Sequence, residues 1–202
     1  MKIFYGRFFR WIGKKRGEFS FVFALIAVII NLFEKTKSVS LLKIDFSGVF
    51  IYLWLLILAG IWIRIWAAGN IKKYKEVTTS GPYRIIRHPL YLGTLLIYFS
   101  YFLAIGNDKI GIFIFIIMYL TIYYPRMLHE EENLKKHFPE SYYSYAYATP
   151  RIIPNIFLIP SALKTSRFSI KEARKNIGFR SLWAIIIIPL IVEFISYVEN
   201  YF

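Results

Sequence analysis

The run Phe46 to Ala68 constrains this chain more than any other feature, because it is apolar almost throughout and carries one charge, Arg64. In helical form roughly 20 such residues match the thickness of a hydrocarbon core. The same bias extends over all 202 residues, of which 57% are hydrophobic and 20% aromatic. A soluble domain of this length rarely needs so much apolar surface. The chain is therefore read as an integral membrane protein.

Four further apolar stretches complete an all-α, polytopic reading with about five transmembrane helices. Phe19 to Phe33 follows a basic start (Lys2, Arg7, Arg10, Lys14, Lys15, Arg16) and ends in Asn31-Leu32-Phe33-Glu34-Lys35 with no small-x-small cleavage site. It reads as a short, uncleaved anchor. Leu90 to Ile105 and Ile110 to Tyr124 are separated only by Gly106-Asn107-Asp108-Lys109, the mark of a tight helical hairpin. Ser181 to Val198 contains Pro189, which kinks a spanning helix without forbidding it. Trp62 and Trp66 near the end of the second stretch mark an interface, with Arg64 within snorkelling reach.

Charge orients these spans. Lys72, Lys73, Lys75, Arg84 and Arg87 face a single acid, Glu76, between Gly69 and Pro89, and the segment after Tyr124 is also rich in bases. Lysine and arginine collect on the cytoplasmic side, so the amino terminus and both basic loops belong inside and the carboxyl terminus outside. The formal charge of +14 then needs no nucleic acid, because the bases flank apolar spans instead of forming one stripe. Absence of cysteine removes disulfides, thiolate nucleophiles and thiolate-bound metals. No repeat or boundary divides residues 1–202, which read as a single membrane domain.

Two polar constellations stand out. Thr79-Ser80-Gly81-Pro82-Tyr83-Arg84 leads into Arg87-His88-Pro89-Leu90-Tyr91-Leu92-Gly93 where a basic loop enters the membrane. Gly81-Pro82 makes a turn, and Pro89 suits the first position of a helix, whose free N–H groups with Arg87 and His88 would form an anion site. Taken alone, Arg84 and Arg87 serve equally as membrane anchors. The second constellation is Glu130-Glu131-Glu132, on a polar helix that continues the fourth span, with Leu134 and Phe138 four residues apart on one face. Taken alone, it reads as a solvated face pairing with Lys135 and Lys136, with at least one acid exposed.

Together the two constellations resemble a known family. Val77 to Arg84, Arg87-His88-Pro89-Leu90-Tyr91-Leu92-Gly93, a hydrophobic hairpin, then Glu130-Glu131 with Leu134, Phe138, Tyr142, Tyr145 and Pro150-Arg151-Ile152-Ile153-Pro154 are similar in order and spacing to the membrane methyltransferases that include isoprenylcysteine carboxyl methyltransferase and the phospholipid methyltransferases. The core of the resemblance is 77–154, and 155–202 is an extension beyond it. The resemblance implies a cytoplasmic pocket for S-adenosylmethionine and methyl transfer to a lipophilic acceptor, either an isoprenylcysteine-type carboxylate or a phospholipid amine. Membrane lipids and a lipidated or lipophilic small molecule would be its partners.

By that resemblance His88, Pro89, Tyr91, Leu92, Gly93, Glu130 and Glu131 bind the donor, while Arg87, His88 and Glu130 act in the reaction; Glu130 or Glu131 would hold the donor's amino group. Two departures bear on this. Pro139 stands where a glycine is common, and Glu132 leaves the register of the acidic pair open. A sterol or enone reductase using NADPH has a similar Arg-His-x-x-Tyr element, and a non-catalytic scaffold or transporter is the reading outside enzymes. Pro89 with the later Glu pair fits the methyltransferases better, and against transport the spans hold almost no ionisable residue near mid-membrane, Glu193 in the last being the main exception and read near the outer interface.

Overall fold

In the computed structural model the described residues are 15–34, 38–42, 47–73, 75–105 and 108–177, with positions 190, 193, 194 and 197. Every regular element among them is helical. The basic start before Lys15, the turn residues Gly106 and Asn107, and nearly all of the last apolar run lie outside the described residues.

The apolar stretches fold as their patterning requires. Helix α1 is Arg16–Glu34 and α2 is Gly48–Asn70, 23 residues, or about 34 Å at the helical rise. Its apolar window is only 17% buried, and Val49, Leu55, Leu58 and Trp62 stand exposed. A helix apolar all round with its face open is one made for lipid. Helix α3, Pro89–Ala104, starts at the proline as expected, its first bonds running from Tyr91 and Leu92 N–H to the His88 carbonyl at 3.0 Å each.

Helix α4, Asp108–Met118, passes through a π turn, Tyr119–Tyr123, into α5, Tyr124–His137. Lys109–His137 is thus one rod of 29 residues. At about 43 Å it outruns a hydrocarbon core of about 30 Å, which leaves its polar end beyond the apolar stretch. Two helices, Gly48–Asn70 and Lys109–His137, are long and apolar enough to cross a membrane, and Gly17–Asn31, Pro89–Ala104 and Ile156–Thr165 are shorter apolar helices.

One local expectation fails here. Phe138 does not continue the face of Leu134: α5 stops at His137, and Phe138 takes φ −139 and ψ 58 as the cap of α6, Pro139–Ala148. The proline ring disfavours α geometry in the residue before it, so the helix must end there. After α6 come a 3-10 turn, Ile156–Leu158, α7, Ile159–Thr165, and α8, Ile170–Asn176. Ser169 caps α8 by accepting from the Glu172 N–H.

The chain divides into two compact units, one of 1–59, 95–126 and 179–202, the other of 60–94 and 127–178. The first is rich in apolar side chains, with hydrogen bonds among them. Ser20 and Tyr123 share a hydrogen bond of 3.0 Å, Ser100 donates to the Leu53 carbonyl at 2.9 Å, Asn31 donates to the Ile105 carbonyl, and Ser40 donates to the Glu193 carboxylate. Phe99 and Phe102 pack on Phe115 with ring centroids 5.4 and 5.9 Å apart.

The second unit is built on close backbone approaches. Gly93 sits where an added Cβ would come within 2.5 Å of the Gly60 carbonyl oxygen, so α3 can lie directly on α2 near its middle. Arg64 locks that pair by donating to Leu90 O and to the Thr94 hydroxyl.

Candidate functional site

The site begins at the turn before α3. Gly81 holds φ +59, the left-handed region that glycine enters without steric cost, and a Cβ there would meet the Asn70 side-chain oxygen at 2.6 Å. From it runs the 3-10 turn Gly81–Arg84. The Tyr145 hydroxyl donates to the Tyr83 carbonyl at 2.7 Å, and Tyr83, Tyr145 and Ala67 form a buried cluster edged by Ile71, Val77 and Leu90. Residues 85–87 are held from the other side by 150–155: Arg87 N–H donates to Pro150 O at 2.9 Å and Asn155 N–H to Ile85 O at 3.0 Å.

At the centre is Glu131, 2% exposed. Its carboxylate accepts from Arg151 through Nε at 2.8 Å and Nη2 at 2.7 Å, from Arg87 Nη1 at 3.3 Å and from His88 Nε2 at 3.1 Å. The last bond requires the proton on Nε2, in the neutral tautomer or the imidazolium. Arg87 is further committed, donating through Nε to Thr149 O at 2.6 Å and through Nη2 to Ala146 O. A buried carboxylate with paired guanidiniums is the arrangement that makes a buried charge tolerable.

Glu130 occupies a different place. It is half-buried and accepts from the Tyr91 hydroxyl at 2.7 Å. The Tyr91 and His88 rings lie 5.8 Å apart. Glu132 is exposed, which satisfies the expectation that three adjacent acids cannot share a face. Glu131 turns to Arg87 and Arg151 on other segments of the chain, and Lys135 lies over the Tyr142 ring at 5.7 Å.

Two phenols report the electrostatics. Burial, and then the neighbouring Glu131 carboxylate, push the Tyr142 phenol up to about 12. Burial above all, with smaller contributions from Tyr145, Glu130 and Tyr91, pushes the Tyr83 phenol up as well. The Tyr83 hydroxyl is buried and has no hydrogen-bond partner, an arrangement that costs about 1–3 kcal/mol in an apolar setting. Both phenols stay protonated and neutral near pH 7.

The residues singled out in the sequence thus fall into three groups. His88, Tyr91, Glu130 and Glu131 come together from stretches about forty residues apart, joined by His88–Glu131 and Tyr91–Glu130 contacts. Arg87 joins them as a brace, and the anion beside Arg87 and His88 is the chain's own Glu131. Pro89 and Gly93 shape α3, the first starting it and the second admitting Gly60, while Leu92 is half-buried on the same helix. Sequence reasoning missed Arg151. Its signal is its place in the Pro150-Arg151-Ile152-Ile153-Pro154 run. Among the described residues no group of three or more His, Cys, Asp or Glu side chains is placed to hold a metal ion.

Comparisons with known proteins bear on this geometry. A nickel-cobalt-cadmium resistance protein of Alcaligenes xylosoxydans xylosoxydans is 31% identical over 103 residues, 48% of this chain and 46% of the relative. A cobalt-zinc-cadmium resistance protein of Cupriavidus metallidurans is 32% identical over 98 residues, 47% of this chain and 44% of the relative. The match therefore spans under half the length of the curated relatives. No solved structure matches the chain. The family model described as phospholipid methyltransferase matches residues 46–141, a stretch that holds α2, the hairpin, the Arg87-to-Gly93 element and all three glutamates. That match bears out the resemblance read from these residues: 46–141 is similar to the phospholipid methyltransferases.

Proposed function

We propose that this chain is a multi-pass membrane methyltransferase that moves a methyl group from S-adenosylmethionine to a lipophilic acceptor at the cytoplasmic face. The observation that carries this reading is the convergence of His88, Tyr91, Glu130 and Glu131 within hydrogen-bond distance, inside the stretch matched by the family. In the proposed topology five helices cross the bilayer, the amino terminus lies inside, and 155–202 extends a single domain.

The donor set suits a small zwitterion that also carries a sulfonium. Glu130, oriented by Tyr91, is the carboxylate for an ammonium group, and the His88 and Tyr91 rings offer faces to a cation. Pro89, Leu92 and Gly93 set the backbone that lies beside them, and Glu131 holds His88 in place. The donor supplies a methyl group already bonded to a positive sulfur, so the protein's work is to hold the acceptor atom in line and to keep water out. A carboxylate acceptor arrives as the nucleophile. An amine acceptor must lose a proton, and His88 or Glu130 stands where one could be received.

Arg87 and Arg151 keep Glu131 ionised and His88 oriented. Arg87 can turn to an anionic acceptor only by leaving Glu131 and two carbonyls, so its part in this reading is positioning.

Purified protein in detergent tests the donor. Micromolar binding of S-adenosylhomocysteine, weakened at least tenfold by Glu130→Gln with melting temperature unchanged, is the expected result; binding of a nicotinamide dinucleotide alone would reverse the assignment. Transfer of label from methyl-labelled donor into a lipid extract then identifies the acceptor.

A further inference from the structure

Residues 152–175 carry an unusual surface. Ile153, Ile156, Phe157 and Leu163 are 79, 60, 87 and 55% exposed, although Ala162 on the opposite side of α7 is fully buried. Beside this apolar face stand five exposed bases, Lys164, Arg167, Lys171, Arg174 and Lys175, against one acid, Glu172, which accepts from Asn176 within α8.

This strap is fastened to its unit. Ser166 accepts from Trp66 Nε1 at 3.0 Å, Arg167 N–H donates to the Asn70 side chain at 2.8 Å, and Ser169 N–H donates to Gly69 O at 3.0 Å. Phe168 covers Gly69 so closely that a Cβ there would lie 2.3 Å from its ring. Asn176 reaches Ala68 O and Ile71 O at 3.1 and 3.2 Å. The anchoring partner Trp66 stacks with the exposed Trp62 at 5.0 Å, on the end of a helix long and apolar enough to span a bilayer. Tryptophan at such an end marks the headgroup level.

We propose that residues 156–175 lie in the headgroup layer of an anionic leaflet, with Ile156, Phe157 and Leu163 sunk among acyl chains and the five bases on lipid phosphates. Depth comes from the Trp66–Ser166 bond, and sign from the bases. A second copy of this chain would set the same bases against themselves, and a soluble acidic partner would leave a headgroup-level apolar face without cover. The inference rests on the membrane reading and not on which methyl acceptor is used.

The chain contains no cysteine, so Phe157→Cys or Leu163→Cys carries a single fluorophore without background. Each labelled protein is placed in nanodiscs holding either brominated phosphatidylglycerol or brominated phosphatidylcholine at equal mole fraction. At low salt both labels should be quenched, about threefold more by the brominated anionic lipid, because each base near an anionic surface favours it severalfold. That preference should disappear at 1 M salt, where the Debye length falls to about 3 Å, and when all five bases are changed to Gln. Absence of quenching by either lipid means that the strap is out of the bilayer and overturns the proposal. Equal quenching by both lipids at low salt removes its anionic part and overturns it too. The salt series on otherwise unchanged protein decides even if the five-Gln variant does not fold.

Discussion

The two units of this chain solve the problem of buried polarity in opposite ways. In the first, neutral hydrogen bonds such as Ser100 to Leu53 O lie among aromatic and aliphatic side chains that do the packing. In the second, one carboxylate collects Arg87, His88 and Arg151, and two backbone segments are sewn together around it. Isolated ties can be lost singly, because each satisfies only its own two atoms. A shared carboxylate cannot be lost without leaving several charges unpaired. Among the described residues the charges gathered around a buried centre are those of the second unit, and that is where chemistry has groups to use.

The largest effect should come from removing that centre. Glu131→Ala leaves two buried or half-buried guanidiniums without their partner, and breaking such a pair costs about 3–5 kcal/mol. The expected outcome in detergent is a lowered melting temperature with rapid proteolysis in 127–178. An unchanged melting curve would mean that the network contributes nothing to the unit. Next comes Gly81→Ala, which forces a side chain into φ +59 and against Asn70 and should cost about 1–3 kcal/mol, read as a melting shift with weaker donor binding.

A smaller effect separates the units. Ser100→Ala removes the neutral hydrogen bond to Leu53 O, for about 1 kcal/mol, and should leave S-adenosylhomocysteine affinity as it was; a tenfold loss would show that the two units are energetically coupled. Smallest of all is Tyr83→Phe. The hydroxyl it deletes has no partner, so the variant should be as stable as the parent or slightly more stable, checked by chemical denaturation. A clear loss of stability would show that the hydroxyl is satisfied in solution.

Much of this was legible in the residues. The apolar runs predicted α1 to α3 and, with the π turn that follows it, α4 to within a few positions, since burial in lipid demands unbroken helices whatever their partners. Pro89 announced the start of α3 because a proline tolerates only the first turn. The pairing of the Arg87-to-Gly93 element with the later glutamates was visible as a resemblance, and the family match over 46–141 agrees with it. Phe138 departs from the four-residue spacing that begins at Leu134 because Pro139 follows it, and the residue before a proline does not readily stay helical.

The sequence by itself determined where helices form, how long they are and which acids and bases are available, because these follow from local sterics and from the apolar period. Only the tertiary structure decided which of three adjacent glutamates is the hub. Neighbours on a helix point about 100° apart, and no local rule sets the phase that buries Glu131, aims Glu130 at Tyr91 and leaves Glu132 in water. That phase is fixed by packing against Arg87 and Arg151, which arrive from opposite sides in sequence and meet one carboxylate only once the chain has folded.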